Sequence, residues 1–166
     1  MTLDHKAYVF NWVSFEKELL PILLEAIDTN NDASLREFLS RSISECYSPY
    51  DGEPLTAPWE SNLEAGDIQE LADFALTKFY APDANQGVGH NWIELDAQLP
   101  EEARRALLGL SVAGFDPGRQ GAYFQSPSDV AKSATALSGC PHPELLSYRK
   151  LLEESRRQGL GAYITF

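Results

Sequence analysis

The chain has 166 residues, with 25 acidic and 13 basic side chains and a formal charge of −12. Apolar residues make up 43% and aromatics 11%, which excludes a disordered chain and supplies one domain with a core of its own. The charge disfavours DNA, RNA and anionic membranes as partners, and no apolar run reaches the ~20 residues that a membrane span needs.

Ala7 to Val13 is rich in β-branched and aromatic residues and is predicted as a strand. Ser14 then suits the N-cap of a helix from Phe15 to about Ile27, with Pro21 kinking or splitting it. Ser34 and Glu37 form a capping-box pattern ahead of a second helix that ends near Cys46. Residues 47–66 hold three prolines and two glycines and resist assignment to helix or strand. A structureless loop of that length is uncommon in a single compact domain, and such loops are often functional.

Asp67 with Glu70 opens a third helix that runs to about Tyr80 and stops before Pro82. Asn91 to Leu95 reads as a short strand, and Pro100 begins a helix from Glu101 to about Val112. Ala122 to Gln125 is a short strand. Ser126-Pro-Ser-Asp129 opens a helix through Leu137, and Glu144 to Gln158 is a periodic helix closed by Gly159. Gly161 to Phe166 is a terminal strand. The expected architecture is one α+β domain over residues 1–166, with about six helices around a small mixed sheet formed partly by the N- and C-terminal strands.

The charge is concentrated. Residues 42–103 hold thirteen acids and a single base, Lys78, so the whole excess lies in the middle of the chain. That segregation has two readings: a solvated surface, or an electrostatic docking face for a basic protein. The loop adds Tyr50 and Trp59 to its acids, and aromatic anchors supply much of an interface's energy. The residues predicted to bind such a partner are Tyr50, Asp51, Glu53, Trp59, Glu60, Glu64 and Asp67. Trp59 has a second possible role, pinning the loop to the core. Arg149, Lys150, Arg156 and Arg157 give the last helix a basic side that would compete by pairing with the acids internally.

Chemistry-bearing patterns are sparse. Cys140-Pro-His142, with His90 and Trp92, is the best candidate for a ligand site assembled by the fold. The ligand spacing is too wide for an ordinary zinc site. Gly87-Val-Gly89 lacks the third glycine of a dinucleotide fingerprint and the Gly-Lys-Ser/Thr of a P-loop. Asp28 to Asp32 lacks the glycine and glutamate of a calcium loop and reads as a turn. No catalytic residue, metal or cofactor is expected. Two cysteines are too few for a disulfide framework, and residues 1–6 lack a secretory pattern, so a cytoplasmic setting is expected.

The C-terminal third resembles the YfbM-like family of small bacterial proteins. The similarity rests on the strand Ala122-Tyr-Phe-Gln, the segment Ser126-Pro-Ser-Asp-Val-Ala-Lys-Ser-Ala-Thr-Ala-Leu137, and a basic helix leading into a final strand. Tyr8 to Leu24, a strand running into a Leu-rich helix, is similar to the family's opening. The acidic loop and the rest of the middle third depart from it. The resemblance implies an α+β fold, kinship with toxin-immunity proteins, and no catalytic residues to carry over. The expected function is therefore an acidic binding protein of the immunity type that occludes a basic partner such as a nuclease toxin. The alternatives are an enzyme or small-ligand protein with a site built by tertiary contacts, and a structural subunit of a larger complex.

Overall fold

The computed structural model describes residues 3–117 and 121–166. Four strands, β1 (Lys6–Phe10), β2 (Leu110–Ser111), β3 (Ala122–Gln125) and β4 (Gly161–Thr165), form one sheet in the order β1-β4-β3-β2. Eight α-helices surround it among the described residues: α1 (Trp12–Glu18), α2 (Leu20–Thr29), α3 (Ala33–Ser42), α4 (Ile68–Leu76), α5 (Trp92–Gln98), α6 (Glu101–Ala106), α7 (Pro127–Ser138) and α8 (Leu146–Gln158). The fold is α+β, as expected.

Side-chain alternation along the strands builds two cores. Tyr8, Phe10, Ala122, Phe124 and Tyr163 point into a core closed by α1–α4. Ala7, Ala162 and Ile164 point into a second core closed by α5–α8. The sheet is thus the middle of three layers, one face aromatic and the other small or aliphatic. The register pairs Tyr8 and Phe124 with Tyr163, so three aromatics line up across the strands.

All three strand pairs are antiparallel, so the sheet is not mixed. Two helices in succession, α7 and α8, return the chain to the end of the sheet it left, whereas a single crossover helix would have set β4 parallel to β3.

Three local expectations also change. Asn11 caps α1, its Oδ1 accepting the Ser14 N–H at 3.2 Å, so the helix begins before Ser14. The split expected at Pro21 is present: the chain breaks at Leu19 and restarts as α2 with Pro21 in its first turn. Residues 91–95 open a helix, because Trp92, Leu95 and Leu99 at helical spacing all pack into the second core. The helix from Glu101 ends at Ala106, and Leu110 and Ser111 become the edge strand β2. The helix opened by Ser126 and the left-handed Gly159 cap match the reading, and the structure adds a Ser126–Asp129 capping box to the first of them.

No helix among the described residues is long and apolar enough to cross a membrane.

Candidate functional site

The loop from Tyr47 to Gly66 is a built structure. Leu55 and Trp59 are buried in the first core, and Leu63 packs against it. Glu70, in the first turn of α4, holds the far end. Its Oε1 accepts the Glu64 N–H at 2.6 Å and the Tyr50 hydroxyl at 2.8 Å. Its Oε2 accepts the N–H groups of Ala65 at 2.8 Å and Gly66 at 2.5 Å. Burial pushes this carboxyl up, but the four donors outweigh it and Glu70 titrates below its ordinary value. By sequence pattern alone Glu70 is a capping residue. Asp67 does cap α4, accepting the Glu70 N–H at 2.9 Å, and Glu70 reaches back to the three residues before it.

The loop residues then divide. Asp51, Glu53, Glu60, Glu64 and Asp67 are all exposed. Tyr50 is 55% exposed, with its ring edge-on to Phe74 at 5.6 Å. Trp59 is 3% exposed, so it pins the loop and its ring has no surface to offer a partner. That is a correction to its place among the predicted binding residues. The competing aromatic contact with the core won, because a ring of that size buries more apolar area inward than a rim position would.

The thirteen acids of the middle segment do not share one layer. Eight, from Glu45 to Asp73, belong to the layer built on α3, α4 and the loop. Glu94, Asp96, Glu101 and Glu102 lie on α5 and α6 in the opposite layer, and Asp83 lies in the connection between them. The basic residues of α8 neutralise neither group. Arg156 pairs with Glu153 at 3.2 Å and Arg157 with Glu154, both within the helix. Arg149 donates to the carbonyls of Ser138 and Cys140 at the end of α7, where the helix dipole favours a cation.

The alternative ligand residues are not brought together. His90 is exposed beside α5, while Cys140 and His142 lie in the connection between α7 and α8. Cys140 Sγ sits 3.8 Å from the Ala136 carbonyl. Trp92 lines a sizeable cleft. Among the described residues no three His, Cys, Asp or Glu side chains gather as a metal ion would require. Cys46 is buried, and burial raises its thiol to about 11, so it is not a nucleophile at neutral pH.

The Gly87–Gly89 turn has a structural task. His5 and Gly89 exchange backbone hydrogen bonds at 3.1 and 3.0 Å. The Val88 N–H donates to His5 Nδ1 at 3.2 Å, and the Gly87 N–H donates to Asn85 Oδ1 at 2.9 Å. Every N–H that a phosphate would need is thus already engaged. The turn seals the free edge of β1, with Asn85 and Gln86 bonded to Ala7.

No protein-family model matches the chain, and neither curated proteins nor solved structures supply a match.

Proposed function

We propose that this chain is a binding protein for a basic protein partner, acting as an immunity-type inhibitor that occludes a cationic site such as that of a nuclease toxin. The observation that carries the reading is the state of the acids on the first layer. Glu45, Asp51, Glu53, Glu60, Glu64 and Asp67 are all exposed, and among the described residues Glu45 alone of the six meets a cation, Lys78 at 3.7 Å. The loop carrying four of them is held in its middle by Leu55 and Trp59 and toward its two ends by Glu70, through Tyr50 and residues 64–66. Acids fixed in place before contact lose little conformational entropy on binding, and a negative face steers a positive partner. The contact set on this reading is Tyr50, Asp51, Glu53, Glu60, Glu64 and Asp67.

The test is affinity capture from the source cell with the parent chain and with Glu53→Lys/Glu60→Lys. The expected result is a basic protein retained by the parent, released as salt rises, and lost with the double variant. Recovery of the same proteins on both baits would overturn the reading.

A further inference from the structure

A cleft of about 620 Å³ opens where β3 and the end of β4 meet the start of α5. Small-molecule sites commonly occupy roughly 300–1,000 Å³. Its apolar wall is aromatic: Trp92, Tyr123 and Phe166 are all half-buried. The Trp92 and Phe166 ring centroids are 5.2 Å apart, and Tyr123 stands at 89° to Phe166 at 6.2 Å, so the rings form a corner and not a flat stack. His5, fully buried, backs this corner by stacking on Trp92 at 5.7 Å and meeting Phe166 edge-on at 5.6 Å.

The lining also includes a turn held by one side chain. Gln69 Nε2 donates to the Gly114 carbonyl at 2.7 Å, and Gln69 Oε1 accepts the Asp116 N–H at 2.9 Å. Phe115 between them is buried in the first core. Asp116 Oδ1 accepts the Gly121 N–H at 2.7 Å, which fixes the carboxylate at the cleft. Gly121 has φ +79°, and a Cβ there would meet Tyr123 Cε2 at 2.5 Å, so glycine is what allows the phenol ring its place. Asp116 is the only charged side chain among the described residues that line the cleft.

We infer that this cleft binds a small organic cation, a quaternary or alkylated ammonium group, seated on the Trp92, Tyr123 and Phe166 rings with Asp116 as counter-ion. Ring faces attract a cation through their quadrupole, Trp most strongly, and the effect grows as water is excluded. The carboxylate selects the sign of the ligand, and the charge of −12 on the whole chain raises the local concentration of cations. A neutral apolar ligand would gain from the rings but would bring no charge to meet the carboxylate.

Choline is the probe, with 3,3-dimethylbutan-1-ol as its neutral isostere, followed through the Trp92 indole N–H resonance. The expected result is saturable binding of choline, the isostere weaker by about tenfold, and Asp116→Asn weaker for choline by at least about fivefold with the isostere unchanged. Asparagine keeps an oxygen for the Gly121 N–H, so this variant is expected to fold. Tyr123→Leu, checked by circular dichroism, provides a second variant and weakens choline more than the isostere. No saturable shift at about 10 mM choline (a Kd that corresponds to under 3 kcal/mol), or equal binding of choline and its isostere, overturns the inference.

Discussion

The Tyr50 hydroxyl donates to Glu70 Oε1 at 2.8 Å, joining the start of the acidic loop to the helix that follows it. The same carboxylate accepts three consecutive backbone N–H groups from Glu64 to Gly66. One buried charge therefore closes both ends of the loop.

Glu70→Gln tests that closure. An amide has one acceptor oxygen, so whichever way it turns, at least one N–H faces an NH2 group and the charge is lost. A buried donor left without a partner costs about 1–3 kcal/mol, and bonds to a charged group are the stronger kind. The expected loss is about 2–3 kcal/mol by urea denaturation, with rapid amide exchange at Ala65 and Gly66. Tyr50→Phe removes one donor and leaves three, so it is expected to cost about 1 kcal/mol or less. Equal costs for the two variants would mean that Glu70 does not anchor the loop.

Much of the frame was readable from local chemistry. The helix start at Ser126, the Asp67 cap, the Gly159 terminator and the terminal strands each follow from residues within a few positions of one another. What was hidden depends on distance along the chain. His5 bonds to Val88 and Leu107, 83 and 102 residues away, and nothing near His5 announces either partner. Ala7-Tyr8, Ala122-Tyr123 and Ala162-Tyr163 look alike in sequence. Yet Tyr8 and Tyr163 face the aromatic core while Tyr123 faces the other side, because the register and not the spelling decides the face. The candidate cleft shows the same limit: Trp92 was singled out, but Tyr123, Phe166 and Asp116 reach it only through the sheet and the Gln69 clamp.

Gly87→Ala tests the sealed edge of β1. A Cβ at Gly87 would run into the His5 carbonyl, which is backbone and cannot rotate away. Overpacking of this kind costs about 1–3 kcal/mol. The expected result is a lower midpoint in urea together with faster amide exchange at His5 and Gly89. Unchanged exchange there would show that the turn does not guard the strand.

His5 predicts an acid-sensitive contribution. Its Nε2 donates to the Leu107 carbonyl at 2.6 Å and its Nδ1 accepts the Val88 N–H, so the neutral ring is the bonded form. Burial lowers its pKa from 6.5 to about 4. The unfolded chain therefore binds the extra proton first. The stabilisation is complete above pH 6.5 and is lost as pH falls toward 4, by about 3 kcal/mol in all. A titration of the His5 imidazole by NMR that gives a value near 6.5 would contradict this.

Asp73 acts in the opposite sense over nearly the same range. It lies on α4, one turn beyond Glu70, close to the packed rings of Tyr8, Tyr80 and Tyr163, whose centroids are 4.7 to 6.2 Å apart. Burial, with the Glu70 charge adding and the Lys6 charge opposing, raises its carboxyl from 3.8 to about 7. The same carboxylate and their own burial push all three phenols up. A carboxyl with a raised native pKa contributes stability below pH 3.8 that disappears as pH climbs through 7. Between pH 4 and 6.5 the His5 contribution grows while the Asp73 contribution shrinks, so the parent chain is expected to show a shallow dependence there. Asp73→Asn removes one side of that balance. The variant should match the parent near pH 4 and exceed it by roughly 1–2 kcal/mol at pH 8, with a steeper rise between, measured by urea denaturation across the range. A variant that gains nothing at pH 8 would mean that the Asp73 charge is well solvated, and the shallow profile would then need another cause.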